Sequence, residues 1–350
     1  MNLVHCSVPG RICLFGDHMD WLGGSVITSA ISMQNNCIAW ITDSDKANIY
    51  SYAPFSKHCE YDYSKKTISD DNDLRYNQAV LKYLNSESHH LPGLNLVYYS
   101  ENGNTLLAGK GLSSSAALCV STAATTSVLC SLYDPNSSKF KEYCAETAYK
   151  AENGVLGINC GRMDPYACAI GGTNTIHCRK DSLKYTTHTS LRDVDVVIGD
   201  TGVEKDTPKI LEWLKQRYEE HDKTINVGIA KIHRIVEKAS ILLSNEQDYR
   251  RLGALIDENQ LCMKEYLKVS GDCPVSKSSL DELVAAAKKA GAYGAKVTGS
   301  GGGGCIIALT NPKKTSRVCN EILDAGGIPY KVKLTENGIK LNRMRIRNEY

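Results

Sequence analysis

The pattern of apolar positions differs between the two ends of the chain. Near the start, β-branched and other apolar side chains predict strands over the first residues, over residues 25–31 and over residues 37–41. A further strand is predicted over residues 94–99. Residues 43–76, which lie between the predicted strands at residues 37–41 and 94–99, are polar and rich in Tyr, Asp and Lys. This composition indicates hairpins and a surface-exposed segment.

Helical patterns dominate the rest of the chain. Residues 139–153, 208–222 and 225–244 are predicted as helices, and residues 280–287 place apolar side chains at i, i+3, i+4 and i+7 on one face. Two short apolar runs, residues 194–198 and 305–309, are typical of buried strands.

One long stretch, from Gly111 to Tyr133, carries no charged side chain. Its length raises the question of a membrane span. It contains many Ser and Thr residues, however, and we therefore predict a buried helix of a soluble protein.

The chain has 350 residues, a length that suits two packed domains. The strand-like run at residues 194–198 follows a change of pattern near Asp193. We therefore predict domains at residues 1–190 and 191–350.

Charge and cysteine content exclude several classes of protein. The formal net charge is +2, so no strong basic field favours nucleic acid or an anionic membrane as a partner. The first residues lack the pattern of a signal peptide. The 14 cysteines include no C-x-x-C spacing, which favours buried free thiols in a reducing compartment. We expect a cytoplasmic protein, either a monomer or a homodimer.

A glycine-rich loop opens directly into the uncharged helix. Its residues are Gly109, Lys110, Gly111, Leu112, Ser113, Ser114, Ser115 and Ala116. Unpaired N–H groups and the positive end of the helix dipole make such a start an anion site, usually for phosphate. The spacing is not that of a Walker A loop. The alternative interpretation is that the serines only cap the helix.

Two further segments carry clustered carboxylates. Asp17, His18 and Asp20 crowd a turn between strand-like runs, where they could hydrogen-bond the hydroxyls of a polyol. Asp164 lies in a glycine-containing loop after a predicted helix that carries Glu152, and it could orient or deprotonate a hydroxyl nucleophile. The alternatives are an ordinary Asp-rich turn and a loop Asp bonded to its own backbone.

A fourth segment, residues 299–304, contains five glycines in six positions. Such a run costs backbone entropy, so it indicates close approach to a ligand or to another loop. A Rossmann loop does not fit, because a strand rather than a helix follows.

In this order, the four segments resemble the signature motifs of the GHMP kinases, which include galactokinases, homoserine kinases and mevalonate kinases. The resemblance extends from Pro9 to about Leu309. It implies an α+β fold with two domains. The N-terminal ATP-binding domain would contain a left-handed β-α-β unit, and the C-terminal domain would be ferredoxin-like.

The resemblance also implies roles for individual residues. The loop from Gly109 to Ala116 would wrap the phosphates of ATP, with Ser115 and Glu152 as ligands of Mg²⁺. Asp164 would stand at the position of the catalytic base with Arg11 beside it. The turn with Asp17, His18 and Asp20 would bind the small-molecule substrate.

The motifs leave the branch of the family open. The residues Gly16-Asp17-His18-Met19-Asp20-Trp21-Leu22-Gly23-Gly24 are similar to the galactokinase pattern, and Cys160 to Asp164 resemble its base loop. The C-terminal half resembles mevalonate kinase at least as closely. We predict a sugar kinase that acts on the anomeric hydroxyl, with mevalonate kinase as the alternative. A non-catalytic sugar sensor is a further alternative, which the intact Ser115-Ala116 disfavours.

Overall fold

The computed structural model describes residues 2–52, 56–65, 67–68, 74–88, 90–101, 105–179, 183–188, 191–245, 248–277 and 279–345. Its strands are β1 (Asn2–Phe15), β2 (Ser25–Thr42), β3 (Lys46–Ser51), β4 (Lys57–Asp62), β5 (Gly93–Tyr99), β6 (Thr173–Cys178), β7 (Leu183–His188), β8 (Asp195–Asp200), β9 (Asp272–Cys273), β10 (Ser276–Lys277), β11 (Gly294–Val297), β12 (Cys305–Thr310), β13 (Ile328–Val332) and β14 (Lys340–Arg345).

Nine α-helices are formed by the residues that the structure describes. They are α1 (Arg75–Ser88), α2 (Ser114–Leu129), α3 (Phe140–Tyr149), α4 (Met163–Ile170), α5 (Thr207–Glu219), α6 (Lys223–Asn245), α7 (Tyr249–Leu261), α8 (Leu280–Lys289) and α9 (Thr315–Asp324). π-Helical segments continue α3 over Lys150–Val155 and α7 over Cys262–Tyr266, and a 3₁₀ turn spans Pro312–Lys314.

The N-terminal half is built on an eight-stranded mixed sheet. Six strands run in the order β14-β1-β2-β5-β3-β4, and β6 pairs with both β2 and β7. Every pair is antiparallel except β3 and β5, which are parallel and are connected through β4 and α1. This is the β-α-β unit that the family resemblance implied, and its left-handed connection stays a prediction.

Helix α2 is the central helix of this half. It packs against β1, β2, α1, α3 and α4, and its residues from 119 to 128 are all buried. Small Ala, Ser, Thr and Cys side chains allow this close packing on all sides. The prediction of a buried helix is therefore confirmed. Within the described ranges, no helix is both long enough and apolar enough to cross a membrane.

A four-stranded antiparallel sheet carries the second half, in the order β11-β12-β8-β13. The chain visits these strands in the sequence β8, helices, β11, β12, α9, β13, which is the ferredoxin-like arrangement. Helix α8 buries Leu280, Leu283 and Ala287 against this sheet, as the predicted apolar face requires. The predicted two-domain α+β fold is confirmed.

Two features differ from the sequence interpretation. Residues 163–170 form α4, whereas we expected a loop, because Pro165 is tolerated within the first turn of a helix and a buried apolar face follows it. In addition, β14 pairs with β1 and completes the first sheet. Residues 340–345 therefore belong to the N-terminal sheet although they fall within the predicted second domain, and the boundary at residue 190 stays a prediction.

Candidate functional site

Arg11 joins the end of the glycine-rich loop to the first turn of α4. Its Nε and Nη2 donate to Oδ1 of Asp164 at 2.8 and 2.6 Å, and its Nη1 donates to the carbonyl of Gly111 at 2.7 Å. Burial, the largest single influence, lowers the pKa of the Arg11 guanidinium, but the charge and hydrogen bonds of Asp164 together with Cys13 and Cys168 outweigh it, and the pKa is raised. Arg11 is therefore permanently charged, and Asp164 is held in one orientation.

The start of α2 lacks a side-chain cap. Ser113 adopts a left-handed backbone (φ +61°), and its side chain makes no capping hydrogen bond. Its Oγ is buried and has no hydrogen-bond partner among the residues that the structure describes. A buried hydroxyl without a partner carries an energetic cost that a bound anion would remove. The geometry thus favours the phosphate-site interpretation over a simple N-cap.

The two glycine-rich loops touch. Gly111 has φ +83°, and a Cβ added there would lie 2.9 Å from the carbonyl of Thr298. Gly304 has φ +74° and approaches the carbonyl of Lys110 equally closely. Only glycine fits both the backbone angle and the contact, which explains the glycine run at residues 299–304.

Glu152 reaches the start of α2 from the π-helical segment. Its side chain is buried (4% exposed) and accepts a hydrogen bond from Ser115. Burial raises the pKa of Glu152 to about 7, with a smaller contribution from Asp164, while the Ser115 hydrogen bond opposes the rise. A hydroxyl and a carboxylate thus meet beside the phosphate loop.

This pair fits a magnesium ion. Mg²⁺ prefers hard oxygen ligands and keeps several waters, so that one hydroxyl and one carboxylate suffice when phosphate oxygens complete the shell. In the part of the chain that the structure describes, no larger cluster of His, Cys, Asp or Glu is arranged to hold a metal.

Two of the three residues predicted to bind the substrate have partners inside the protein. Asp17 is fully buried, pairs with Lys296 and accepts a hydrogen bond from the N–H of Gly299 at 2.7 Å. The Nε2 of His18 lies 3.1 Å from the carbonyl of Ser300, and burial lowers the pKa of His18 to about 4. His18 is therefore neutral and bonded to the second glycine loop.

Asp20 remains half-buried at the mouth of this turn. A Cβ added to Gly161 would lie 2.1 Å from its Oδ2, so the carboxylate rests directly on the segment that leads to Asp164. Burial, and then the charge of Asp164, raise the pKa of Asp20 to about 6. Of the three residues in the turn, Asp20 is the one whose carboxylate lies beside Asp164.

Arg162 lies next to this region but is bound elsewhere. Its Nε and Nη2 donate to the two carboxylate oxygens of Glu146, both at 3.0 Å, and its guanidinium covers the ring of Tyr149. This fork of hydrogen bonds holds Arg162 on the surface of α3.

Sequence reasoning missed the basic residues that the second domain contributes. Lys296 of β11 and Lys205 after β8 both reach the site from this domain. The available signal was the resemblance of the C-terminal half to mevalonate kinase, for which no residue roles were predicted. Lys110, predicted to bind phosphate, pairs with Asp200 at 3.1 Å.

Comparison with known proteins identifies the family. Residues 75–172 match the GHMP kinases N-terminal domain, and residues 239–327 match the GHMP kinases C-terminal domain. A mevalonate kinase of Thermococcus onnurineus is 32% identical over 97% of this chain and 99% of its own length. The chain belongs to the GHMP kinase family. Members of this family are small-molecule kinases that use ATP as the phosphate donor.

Other relatives of this GHMP kinase fall in a different branch. A galactokinase of Pyrococcus furiosus is 29% identical over 92% of the chain and 93% of its own length. The structure of Lactococcus lactis galactokinase complexed with galactose superposes with a TM-score of 0.78 at 22% identity, covering 97% of this chain and 95% of that one. The predicted family is confirmed, and its members include both mevalonate kinases and galactokinases.

The environment of Asp17 generates a prediction for this kinase. We expect Asp17→Asn to lower the free energy of unfolding by about 3–5 kcal/mol, because it leaves Lys296 as an uncompensated buried charge. Urea denaturation followed by circular dichroism measures the change.

The matched control is Asp20→Asn, whose carboxylate makes no ion pair among the described residues. A change of less than about 1 kcal/mol is expected there. If Asp17→Asn were as stable as the wild type but bound substrate poorly, Asp17 would be a substrate ligand instead.

Proposed function

We propose that this GHMP kinase transfers the terminal phosphate of ATP to the anomeric hydroxyl of a neutral sugar. The observation that carries the proposal is the position of Asp20, whose carboxylate lies against the segment leading to Asp164, beside the phosphate loop. Two carboxylates at one end of a site accept hydrogen bonds from several hydroxyls and disfavour an anionic substrate.

Asp164 is the residue best placed to orient the acceptor hydroxyl. Its Oδ1 is occupied by Arg11, and its side chain is 33% exposed, so the carboxylate can still be reached from the site. The acceptor oxygen forms a bond to the terminal phosphorus as the bond to ADP breaks, and Asp164 accepts the proton. Arg11 holds this carboxylate in one orientation, so that Asp164 can direct the acceptor hydroxyl while the phosphoryl group is transferred.

The phosphates would lie at the uncapped start of α2. The unpartnered hydroxyl of Ser113 and the adjacent N–H groups point to this position. Ser115 and Glu152 would hold Mg²⁺, which neutralises charge on the phosphate oxygens when bound. Phosphoryl transfer depends mainly on such positioning and charge neutralisation.

Mevalonate kinase is the second candidate, and one observation favours it. Several mevalonate kinases of Pyrococcus and Thermococcus are 30–32% identical over nearly the whole chain. Mevalonate carries a carboxylate, which requires a cation at the substrate end of the site. Arg162, the cation of the base segment, is bound to Glu146 and is not free for this role.

ADP release from the purified protein tests the proposal. The panel contains galactose, other neutral sugars, sugar acids and mevalonate, each with Mg-ATP. We expect a neutral sugar to support turnover and to give a sugar 1-phosphate. Turnover with mevalonate and with no sugar would replace the proposal by the second candidate, and sugar binding without ADP release would indicate a sensor.

Asp164→Asn should lower kcat by about two to four orders of magnitude, because an amide cannot accept the proton. The binding of AMP-PNP, measured by calorimetry, should stay within a few-fold of the wild type because Asp164 is not among the groups proposed to hold the phosphates or the metal. Turnover close to that of the wild type would remove Asp164 from the mechanism.

The Mg²⁺ requirement should depend on pH through Glu152. Because burial raises its pKa to about 7, the carboxyl is protonated below that pH and must lose the proton to bind the metal. We expect the Mg²⁺ midpoint of nucleotide-saturated enzyme to fall as pH rises from 6 to 7 and to level off above 8.

Glu152→Gln is the control for this titration. Protonation of the nucleotide itself affects both proteins equally, so the difference between their profiles isolates Glu152. Two profiles of identical shape would place the metal elsewhere.

A further inference from the structure

Lys205 extends from the segment after β8 into the contact between the two glycine-rich loops. Its Cβ lies 3.2 Å from a Cβ added to Gly303, and its Cδ lies 3.4 Å from one added to Gly304. At the far end, its Nζ lies 2.9 Å from a Cβ added to Gly111. The loops thus leave a channel for this side chain, and the ammonium group emerges at the phosphate loop.

The ammonium group has no acidic partner. Each neighbouring cation is paired: Arg11 with Asp164, Lys110 with Asp200, and Lys296 with Asp17. Over the described ranges, Lys205 forms neither an ion pair nor a side-chain hydrogen bond. The ionisable groups that affect it are Cys305 of β12, Arg11 of β1, Asp164 of α4 and Asp17 and His18 of the turn after β1.

This arrangement is unfavourable for the protein without a ligand. Burial, followed by the charge of Arg11, lowers the pKa of Lys205 to about 8. A half-buried ammonium group without a counter-ion loses hydration that no protein group replaces. Since no ion pair or side-chain hydrogen bond within the described chain offsets this loss, an external anion is the partner that the geometry calls for.

We propose that Lys205 binds the terminal phosphate of ATP and supplies the positive charge that Lys110, held by Asp200, does not. The terminal phosphate is indicated because Lys205 and Arg11 flank the same residue, Gly111, and Arg11 also holds Asp164. The phosphate that meets both cations is the one that faces the acceptor. This inference rests on the proposed position of the phosphates at the start of α2.

The phosphate site is then shared between the two halves of the molecule. The loop and helix start come from the N-terminal half, and the cation comes from the strand end of the ferredoxin-like half. Charge on the terminal phosphate therefore favours the arrangement in which the glycine loops touch.

Nucleotide binding without any acceptor tests this role. Calorimetry with Mg²⁺ compares AMP-PNP and ADP on the wild type and on Lys205→Met, Lys205→Arg and Lys209→Met. We expect Lys205→Met to weaken AMP-PNP about 10-fold to 100-fold and ADP less than about 3-fold, as befits one charged hydrogen bond to the terminal phosphate. Lys205→Arg should retain most of the affinity for AMP-PNP.

Lys209→Met is the matched control, because Lys209 lies on the same segment but is exposed and pairs with Asp206. Its nucleotide affinities should equal those of the wild type. A carboxylate on the acceptor is the other anion that Lys205 could meet. In that case, Lys205→Met would leave both nucleotide affinities unchanged, and the proposal would be overturned.

The unfolding temperature of Lys205→Met distinguishes a role of Lys205 in nucleotide binding from a structural role. Without nucleotide, Lys205→Met should unfold at the same temperature as the wild type or a higher one, since it removes an unpaired charge. A lower unfolding temperature together with equal losses for AMP-PNP and ADP would overturn the proposal.

The alkaline pH profile gives a further readout. Affinity of the wild type for AMP-PNP should fall as pH rises through about 8, where free Lys205 loses its proton, and Lys205→Arg should lack this fall. The same alkaline fall in Lys205→Arg would contradict the assignment. Because no acceptor is present in these measurements, they test the role of Lys205 even if the proposed sugar acceptor is wrong.

Discussion

The buried ion pair between Asp17 and Lys296 is the interaction on which the site depends. Lys296 is fully buried in the second sheet and also donates to the carbonyl of Cys13 at 3.1 Å, so one ammonium group joins β11 to the end of β1. Asp17 uses its other oxygen for the N–H of Gly299. A pair so far from water is tolerated only when nearly every donor and acceptor is bonded, which imposes one alignment on the two halves. This alignment also fixes the position of the turn that carries Asp20 relative to the second glycine-rich loop.

The remaining charges of the site divide into two groups. Arg11 and Asp164 form an ion pair, which sets the orientation of the Asp164 carboxylate. Glu152 and Asp20 have raised pKa values because burial, aided by the charge of Asp164, outweighs the hydrogen bonds and charges that oppose the rise. Such uncompensated groups mark the places where ligands complete the electrostatics, and they are frequent at functional sites. Without ligands, the protein thus bears an electrostatic cost at the proposed metal and substrate positions.

The sequence was sufficient for those features that depend on local backbone chemistry. Glycines followed by serines at residues 109–115 and the run at residues 299–304 need no distant partner to be recognised, and their order predicted the family and both sheets. The role of Asp17 could not be recognised in this way, because its partner Lys296 is 279 positions away in the chain. The same carboxylate could bind a hydroxyl or a lysine, and only tertiary packing decides between them.

Other features were hidden by weak local signals. The glycines around residues 154–161 and Pro165 concealed α4, although a proline within the first turn is compatible with a helix. The π-helical turn that carries Glu152 breaks the period of 3.6 residues, so the apolar pattern of α3 does not reveal which way this side chain points. Long-range packing against α1 and α2 determines both.

The pairing of β14 with β1 has a consequence for folding during synthesis of the chain on the ribosome. Strand β1, which also carries Arg11, is synthesised long before its outer neighbour, which consists of residues 340–345. The outer edge of β1 in the first sheet therefore stays unpaired while all strands of the ferredoxin-like half are synthesised. An open strand edge is a template for unwanted pairing. The interval between the translation of β1 and that of β14 is thus the period in which a nascent chain is most exposed to misassembly and most in need of chaperones.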